Sequence, residues 1–287
     1  MDRTITLSRG RGSMEKNVLI TGSSSGFGMY SALELAKCGY TIYASMRNVE
    51  KQTQLMEEAE RYQAQERIHI LQMDITDEKS VQQALEFFKK QNIHLHILIN
   101  NAGYCEGGLI EDLHVEDYIR QFETNVFGAI RVTQTFLPLL KKGVGAKIIN
   151  ISSVSGMIGM PGMSAYCSSK FALEGFSESL RLELRQDQID VSIVQPASFK
   201  TKIWEKGLEN FQIDRESSLI GSIYKYANQS YQNGDDPLKV ARLIVQICNS
   251  RHPKLRYPIG KGAKTLEVSK KVFPWKWIEK VVHNRLK

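Results

Sequence analysis

The residues that could most clearly carry out chemistry are a tyrosine and a lysine four positions apart, Tyr166 and Lys170. On a helix, positions i and i+4 lie on the same face, so the phenol and the ammonium can converge on one site. A phenol with a pKa of about 10 is a poor acid–base catalyst at neutral pH. A cation about 4 Å away favours the phenolate by roughly 4 kcal/mol, which lowers the pKa by about three units at most. We therefore expect Tyr166 to exchange a proton with a carbonyl or alcohol oxygen.

Two further polar residues fit the same chemistry. Ser153 ends a short apolar run upstream of Tyr166, where its hydroxyl can donate to the same substrate oxygen and fix its orientation. Asn125 lies inside a long helical segment although asparagine is a mediocre helix former, and this local cost indicates a functional role. The sequence therefore marks Asn125, Ser153, Tyr166 and Lys170 as candidate functional residues.

A glycine-rich segment, TGSSSGFG from Thr21 to Gly28, indicates a cofactor site. It joins the first predicted strand to a helix, where glycines let the backbone turn tightly and approach a pyrophosphate at the helix N-terminus. Its spacing is GxxxGxG, so taken alone it also fits an ordinary strand–helix turn.

The end of the second predicted strand bears on the choice of dinucleotide. An NAD site places an acidic side chain there to bond the ribose hydroxyls, whereas this chain reads ASMRN over residues 44–48. An arginine such as Arg47 can pair with a 2′-phosphate. We therefore predict NADP(H) as cofactor over NAD(H); the alternative is that Arg47 is a solvated loop residue.

Short apolar runs alternate with helical patterns from residue 17 to about 195. The candidate strands cover residues 17–21, 41–45, 68–72, 97–100, 147–151 and 191–195, and the clearest helical segments cover residues 29–38, 79–90, 115–140 and 165–186. Asp77 stands where the second of these helices needs an N-terminal cap. This alternation predicts the α/β class, with a Rossmann-type doubly wound parallel sheet in a single domain.

The same pattern divides the chain into parts. We assign residues 1–14 to a flexible N-terminal tail, residues 15–250 to the catalytic domain and residues 251–287 to a basic C-terminal extension. Residues 198–236 are rich in aromatic side chains and lack periodicity. They are either a substrate-binding lid or a packed surface insertion.

Taken in order, these motifs resemble those of the classical short-chain dehydrogenase/reductase family. The resemblance covers residues 15–201 and includes TGSSSGFG, Asp74-Ile75, the NAG of residues 101–103, the NVFG of residues 125–128, Ser153, and Tyr166 with Lys170. It implies that Lys170 lowers the pKa of Tyr166 and bonds the nicotinamide ribose. It also implies that Asn125 holds a water that continues a proton relay, and that Asn125, Ser153, Tyr166 and Lys170 are all catalytic.

The resemblance further implies the cofactor contacts. Ser24 and Arg47 would take the 2′-phosphate, Asp74 and Ile75 the adenine, and residues 101–103 would flank the cofactor. The full cofactor-binding set is Gly22, Ser24, Ser25, Gly26, Phe27, Gly28, Arg47, Asp74, Ile75, Asn101, Ala102, Gly103, Tyr166, Lys170, Pro196 and Thr201.

One position departs from the family pattern. The glycine that usually follows Pro196 is Ala197 here, although Thr201 is present. Because alanine tolerates a positive φ poorly, we expect the loop that bonds the nicotinamide to take a different path.

Within the family the chain resembles the 17β-hydroxysteroid and retinol dehydrogenase-like branch. YASMR over residues 43–47, the segment after Tyr166, and RYPIG over residues 256–260 carry this likeness. It implies a bulky apolar alcohol or ketone as substrate and a homodimer or homotetramer. The apolar residues Met157, Ile158, Met160 and Met163 would line the pocket or belong to the core.

Two rival functions remain open on the sequence. A 3-oxoacyl-thioester reductase of the same family usually lacks so long a C-terminal extension. A catalytically silent NADP(H)-binding sensor or scaffold should have lost part of the serine, tyrosine and lysine set, which this chain keeps.

Charge and cysteine usage exclude several other classes. The net charge is +7, but residues 251–287 alone carry eleven Lys or Arg and two Glu, so the rest is nearly neutral and does not predict a nucleic-acid-binding domain. Four scattered cysteines indicate reduced thiols in a cytoplasmic protein, and His94 with His96 lacks a third ligand, so we predict no metal. Aromatic residues among lysines in the extension predict either a packed surface helix or weak contact with anionic membranes.

Overall fold

The computed structural model of the chain describes residues 16–201, 203 and 218–285. The predicted N-terminal tail, residues 1–14, and the middle of the predicted lid lie outside the described residues.

Seven strands of the described residues form one parallel sheet. They are β1 (Asn17–Ile20), β2 (Thr41–Met46), β3 (Ile68–Gln72), β4 (Leu95–Asn100), β5 (Lys147–Ile151), β6 (Asp190–Pro196) and β7 (Arg256–Ile259). Their order across the sheet is β3-β2-β1-β4-β5-β6-β7, and every pair is parallel. The predicted doubly wound α/β fold and its six strands are confirmed, whereas β7 was not predicted.

The described helices cover both faces of this sheet. They are α1 (Gly26–Lys37), α2 (Thr53–Arg61), α3 (Glu78–Lys90), α4 (Val115–Phe122), α5 (Ala129–Leu140), α6 (Ser164–Glu183), α7 (Ser218–Gln232), α8 (Leu238–Asn249), α9 (Ala263–Val272) and α10 (Trp275–Arg285). Asp77 caps α3 as predicted, since its Oδ1 accepts a hydrogen bond from the Lys79 N–H at 3.0 Å. None of these helices combines the length and apolarity needed to cross a bilayer.

The segment predicted as one helix over residues 115–140 is three elements. A π-helical stretch, Glu123–Gly128, separates α4 from α5. Apolar periodicity alone cannot reveal such a change, because the inserted residue shifts the register without removing the helical pattern. The prediction of an uninterrupted helix was therefore wrong at Asn125, the position that the sequence marked as unfavourable.

Two apolar layers hold the helices on the sheet. On one face, Leu33 of α1, Leu55 of α2 and Ile244 of α8 are fully buried against the strands. On the other, Phe88 of α3 and Phe136 of α5 meet edge to face with ring centroids 5.2 Å apart. Burying each such side chain stabilises the fold by about 1.5–3 kcal/mol, so both faces are firmly covered.

The strand order reverses between β1 and β4, which are neighbours in the sheet although β2 and β3 lie between them in the chain. In open α/β sheets, ligands bind in the crevice outside the carboxyl ends of the strands at such a switch point. The glycine-rich turn follows β1 and the segment 101–103 follows β4, so both lie at this crevice.

Candidate active site

The glycine-rich turn after β1 packs tightly on the loop after β4. A Cβ at Gly22, where φ is +68°, would lie 2.7 Å from Ala102 Cα, and a Cβ at Gly28 would lie 2.5 Å from Asn101 Nδ2. Thr21 Oγ1 accepts hydrogen bonds from the N–H groups of Asn101 and Ala102 at 2.9 and 3.0 Å. Only glycine fits at positions 22 and 28, because a Cβ would collide with the loop after β4. This packing and the Thr21 hydrogen bonds hold the turn in one conformation.

This turn presents the N-terminus of α1 to the crevice. The helix begins at Gly26, its N-cap residue Ser25 uses no side-chain cap, and its first turn holds no acidic residue. The first N–H groups of a helix lack intrahelical partners and attract anions. Ser24, Ser25 and Phe27 are half-buried around them. These residues fit a dinucleotide pyrophosphate.

The end of β2 lies beside the same turn, because the Ser23 N–H donates to the Ser45 carbonyl at 2.9 Å. Met46 is buried at the end of the strand, and Arg47 follows it with its side chain exposed. An exposed cation two residues from this contact, with no carboxylate at the strand end, fits a 2′-phosphate.

Asp74 and Ile75 follow β3 at the same edge of the sheet. Asp74 Oδ1 accepts from the Thr76 N–H at 2.9 Å and from Thr76 Oγ1 at 2.7 Å, which fixes the carboxylate. The Ile75 side chain is buried, and a Cβ at Gly128 would lie 2.6 Å from its Cδ1. The loop that the resemblance assigns to the adenine is thus rigid and packed against the π-helical stretch.

Ser153, Tyr166 and Lys170 come together in a buried cluster. Their exposed fractions are 9%, 6% and 4%. The Ser153 hydroxyl lies near enough to the Tyr166 phenol to lower its pKa, and Lys170 Nζ lies 5.7 Å from the centroid of the Tyr166 ring. Lys170 Nζ also donates to the Ile151 carbonyl at 2.8 Å, which fixes the amine at the end of β5. The structure therefore brings together three of the four residues predicted to be catalytic.

The expected lowering of the phenol pKa by Lys170 is wrong. Burial raises the pKa of Tyr166, the neighbouring Cys105 thiol acts in the same direction, and the Ser153 hydroxyl only partly opposes them. Burial also lowers the pKa of Lys170 to about 8, while Cys105 and Glu174 raise it. The Lys170 amine is bonded to a carbonyl and faces the ring, so desolvation dominates over attraction between the two groups.

Asn125 is held next to this cluster by the π-helical stretch. Its Oδ1 accepts from the Tyr104 N–H at 3.1 Å, and its Nδ2 donates to the Tyr104 carbonyl at 3.0 Å and to Ser169 Oγ at 3.1 Å. A Cβ at Gly103 would lie 2.9 Å from Asn125 Oδ1 and 3.7 Å from Lys170 Nζ. The hydrogen-bonding groups of the Asn125 side chain are therefore occupied by protein partners, and the π-helical stretch that carries it is an element found frequently at functional sites.

Two residues of the site were missed by the sequence analysis. Cys105 is 4% exposed and close enough to Tyr166 and Lys170 to influence the pKa of both. Glu174, one turn beyond Lys170, accepts from Gln195 Nε2 at 3.0 Å and from Arg256 Nε at 2.9 Å. The i+4 spacing from Lys170 to Glu174 was the available signal, whereas nothing in the sequence pairs Cys105 with Tyr166.

The segment after β6 closes the crevice near the glycine-rich turn. Ser153 Oγ donates to the Pro196 carbonyl at 3.4 Å, and the Thr201 side chain lies 3.7 Å from where a Gly26 Cβ would be. The φ angle of Ala197 is not positive. Its N–H donates to the Ile259 carbonyl at 2.8 Å. The alanine is therefore accommodated because its backbone continues the pairing of β6 with β7.

Apolar segments border the site on the side of Tyr166. Met157 and Ile158 are buried, and the Gly108 N–H donates to the Gly162 carbonyl at 2.9 Å, which joins their loop to residues 105–113. Ile220 and Ile223 of α7 pack with Leu109 of that second loop. One end of the predicted lid thus packs on the loop of residues 105–113, which pairs with the loop preceding Tyr166.

The predicted lid leaves and rejoins the body at one place. Phe199 and Asp235 form a bridge in which the Lys200 N–H donates to the Asp235 carbonyl at 3.1 Å and the Asp235 N–H donates to the Ser198 carbonyl at 3.0 Å. The two ends of the predicted lid are therefore held together at the body of the protein.

The histidine pair considered as a metal site lies elsewhere. His96 Nδ1 accepts a hydrogen bond from the Asn17 N–H at 3.1 Å, and burial lowers the pKa of its ring. Across residues 16–201, 203 and 218–285, no three His, Cys, Asp or Glu side chains are grouped as metal ligands would be.

A doubly wound sheet with an anion-binding turn after β1 and a buried serine, tyrosine and lysine cluster defines a dinucleotide-binding oxidoreductase. The family model described as short chain dehydrogenase matches residues 16–210, and the chain belongs to this family. It is 44% identical to the uncharacterized oxidoreductase YusZ of Bacillus subtilis, over 95% of this chain and 99% of that protein.

Two other relatives have more specific names. The chain is 34% identical to 3-ketodihydrosphingosine reductase of Bacteroides thetaiotaomicron, over 85% of this chain and 87% of the relative. It is also 34% identical to retinol dehydrogenase 8 of Bos taurus, over 84% and 80% of the two chains. The second likeness supports the retinol and steroid dehydrogenase-like branch of the family.

Solved structures share the fold. A short-chain dehydrogenase from Streptomyces avermitilis superposes with a TM-score of 0.77 at 26% identity, covering 94% of this chain and 98% of its own. ElxO, solved with NADP bound, gives a TM-score of 0.70 at 28% identity and coverages of 88% and 100%. A family member from Burkholderia phymatum, in complex with NAD, gives 0.76 at 22% identity and coverages of 90% and 93%. Nicotinamide cofactors of both kinds thus occur among the structural neighbours.

Proposed function

We propose that this chain is an NADP(H)-dependent oxidoreductase that transfers a hydride between nicotinamide and a carbonyl or secondary alcohol of an apolar substrate. Tyr166 is its acid–base residue. The observation that carries the proposal is the buried Tyr166 phenol, with the Ser153 hydroxyl near it and Lys170 on the same helix face.

The arrangement of the side chains supports a role for each proposed catalytic residue. When bound, the nicotinamide supplies or accepts the hydride. In reduction, the Tyr166 hydroxyl donates its proton to the substrate oxygen, while the Ser153 hydroxyl donates a second hydrogen bond that orients it. Since burial raises the pKa of Tyr166, the phenol is protonated at neutral pH, which is the form that reduction requires. Lys170, fixed by the Ile151 carbonyl and next to Gly103 and Asn125, then gives a proton to the Tyr166 phenolate and regains one from the side of the π-helical stretch.

The preference for NADP(H) over NAD(H) rests on the end of β2. Arg47 is exposed directly after Met46, and the strand end holds no carboxylate. A tenfold preference needs only about 1.4 kcal/mol, which one charge-assisted hydrogen bond supplies. Ser24, half-buried in the turn next to this strand end, is the second contact for the 2′-phosphate.

The apolar character of the substrate rests on the walls around Tyr166. The loops near Tyr166 carry apolar side chains, namely Met157, Ile158 and Leu109, and Leu109 packs with Ile220 and Ile223 of α7. Two relatives are named for 3-ketodihydrosphingosine and for retinol, both of which carry long hydrocarbon portions. A steroid-, retinoid- or lipid-like ketone or alcohol is therefore the favoured class. A 3-oxoacyl thioester and a purely cofactor-sensing role are the alternatives.

We also propose a cytoplasmic homodimer or homotetramer. Ile119 of α4, Phe127 of the π-helical stretch, and Phe171 and Leu182 of α6 expose between 41% and 74% of their surface. Exposed apolar patches of this kind on a folded chain commonly mark an assembly surface.

The test is turnover of a ketone panel with NADPH and NADH, beside Tyr166→Phe. The panel holds steroid, retinoid, long-chain aliphatic and acyl-thioester carbonyls. We expect kcat to fall by roughly 100- to 10,000-fold in the variant, since it loses the transferable proton. Binding of NADPH should change little, because the phenyl ring still fills the pocket.

Tyr62→Phe, an identical change at a half-exposed tyrosine of the surface, is the control and should keep full activity. If the wild type bound NADPH tightly but turned over none of the ketones, the cofactor-sensing function would be favoured over the reductase function. Turnover of the acyl-thioester carbonyls alone would identify a 3-oxoacyl thioester as the substrate class.

A further inference from the structure

The two C-terminal helices are anchored to the body through few side chains. Ala263 of α9 and Ile278 of α10 are 1% and 7% exposed. Lys270 Nζ donates to the Met157 carbonyl and lies 4.7 Å from the centroid of the Phe171 ring. The helix pair therefore has a fixed inner side.

Most apolar side chains of these helices point away from that inner side. Of the sixteen large hydrophobic side chains exposed in the described residues, six fall between residues 268 and 281. Their exposed fractions run from 49% to 67%, and they are Val268, Val272, Phe273, Trp275, Trp277 and Val281. The prediction of a helix packed on the body holds for Ile278 but not for its neighbours.

Lysines stand among these apolar groups. On α10, Trp277 and Val281 form one row at i and i+4, and Lys276 and Lys280 form the adjacent row. Lys264 and Lys271 of α9 are exposed as well. The Phe273 and Trp277 rings stack with centroids 6.1 Å apart, so they present one flat apolar surface. We call these six apolar residues and four lysines the C-terminal face.

We propose that the C-terminal face docks this protein on the surface of an anionic lipid bilayer. Tryptophan and phenylalanine favour the boundary between headgroups and acyl chains. Lysines beside them gain from the negative potential of anionic lipids. A helix with both features lies in the plane of the interface and does not span it, which suits the short, partly charged α9 and α10.

The charge distribution argues against a second copy of the chain as the occupant. Residues 251–287 carry eleven basic and two acidic residues, so two such faces meeting about a two-fold axis would bring like charges together. A bilayer with acidic headgroups offers the opposite charge and an apolar interior at the same surface. The docking surface is independent of the proposed reaction.

The test is flotation of the full-length wild type with vesicles of phosphatidylcholine alone and of phosphatidylcholine mixed with phosphatidylglycerol. We expect binding to the mixed vesicles at low salt, little binding to the neutral ones, and loss of binding at high salt. K276E/K280E and, separately, W275S/W277S should each weaken binding roughly tenfold or more.

Two matched variants control for charge and apolarity. K79E/K90E makes the same charge change at exposed lysines of α3, and Val144→Ser removes a side chain that is 94% exposed outside the C-terminal face. Both should float like the wild type. All variants change exposed side chains, and unaltered circular dichroism confirms that they fold.

Absence of wild-type binding to the mixed vesicles would overturn the proposal, as would binding that neither C-terminal variant weakens more than its control. Concentration-dependent self-association that W275S/W277S abolishes, without vesicle binding, would assign the face to a second copy. No readout uses activity, so a failure here is distinct from a failure of the proposed reaction.

Discussion

Tyr166, Lys170 and Glu174 occupy successive i+4 positions of α6 and share one buried face of it. Burial lowers the pKa of Lys170, which Cys105 and then Glu174 partly oppose, and burial together with Cys105 raises the pKa of Tyr166. The phenol is thus kept neutral, and the lysine titrates closer to neutral pH than a free lysine does. The acid–base properties of the site therefore depend on burial and on Cys105 and Glu174, and not on the tyrosine–lysine pair alone.

Lys170→Met should alter how stability depends on pH. The pKa of Lys170 is lowered to about 8 in the folded protein, whereas an unfolded lysine titrates at about 10.4. Between these values only the unfolded state binds the proton, so the wild type gains stability as pH rises through this window. The unfolding free energy of the variant minus that of the wild type should therefore fall there, by about 3 kcal/mol at most.

Urea unfolding at a series of pH values measures this difference. Lys90→Met, at an exposed position of α3, controls for the loss of a lysine. A difference that stays constant across the window would mean that burial does not shift Lys170.

Arg47→Ala tests the cofactor preference at the end of β2. We expect the KM for NADPH to rise by roughly 10- to 100-fold, because one charge-assisted hydrogen bond contributes about 1.5–3 kcal/mol. The KM for NADH should change little, since that cofactor has no 2′-phosphate. Lys90→Ala removes a positive charge at the exposed C-terminal end of α3 and should affect neither cofactor. An equal rise in KM for both cofactors would mean that Arg47 does not bind the 2′-phosphate.

At the scale of elements, ion pairs join β7 to α6. Arg256 of β7 bonds Glu174, whose side chain is 8% exposed, and Glu178, which is 51% exposed. Gln195 of β6 holds the second oxygen of Glu174. The C-terminal strand therefore fixes the helix that carries Tyr166 and Lys170.

Arg256→Gln should destabilise the protein because it leaves a buried carboxylate short of its charged partner. Breaking a buried ion pair costs about 3–5 kcal/mol, and the 30% exposure of the guanidinium brings the expectation to about 2–3 kcal/mol. Unfolding in urea measures it. Glu178→Gln, at the exposed end of the same network, should cost less than about 1 kcal/mol. Equal losses in the two variants would show that the buried carboxylate is not the important partner.

The sequence predicted an element correctly where its apolar pattern is strong, and it missed an element where that pattern is weak. The six predicted strands, β1 to β6, are mostly apolar runs, and the structure confirms them. β7 contains Pro258 and only partly buried residues, so it lacked the pattern of a buried strand; proline is tolerated because β7 is an edge strand. Similarly, Tyr166, Lys170 and Ser153 were found through spacing, whereas Cys105 reaches the site only through the path of a loop, which no spacing encodes.

At the scale of the whole molecule, assembly is predicted to use the faces of α4, α6 and the π-helical stretch between α4 and α5. Leu182 is 74% exposed near the end of α6. Leu182→Arg places a charge where a partner would bury it, so light scattering after size exclusion should detect a smaller species than for the wild type. Val144→Arg, at a residue 94% exposed outside these helices, should leave the mass unchanged. An unchanged mass in both variants would place the interface elsewhere.

The strand order also determines how the sheet can grow while the chain leaves the ribosome. Residues 17–100 already contain four neighbouring strands, β3-β2-β1-β4, and β5, β6 and β7 then join one after another at the β4 edge. The nucleotide-binding half can form first, and Tyr166 is synthesised only after this half is complete. Until β5 emerges, β4 offers an open, apolar edge of the kind that pairs with other chains. The nascent protein therefore keeps an open, apolar sheet edge from the synthesis of β4 until β7 has joined, and a chaperone that covers sheet edges would help it most during this interval.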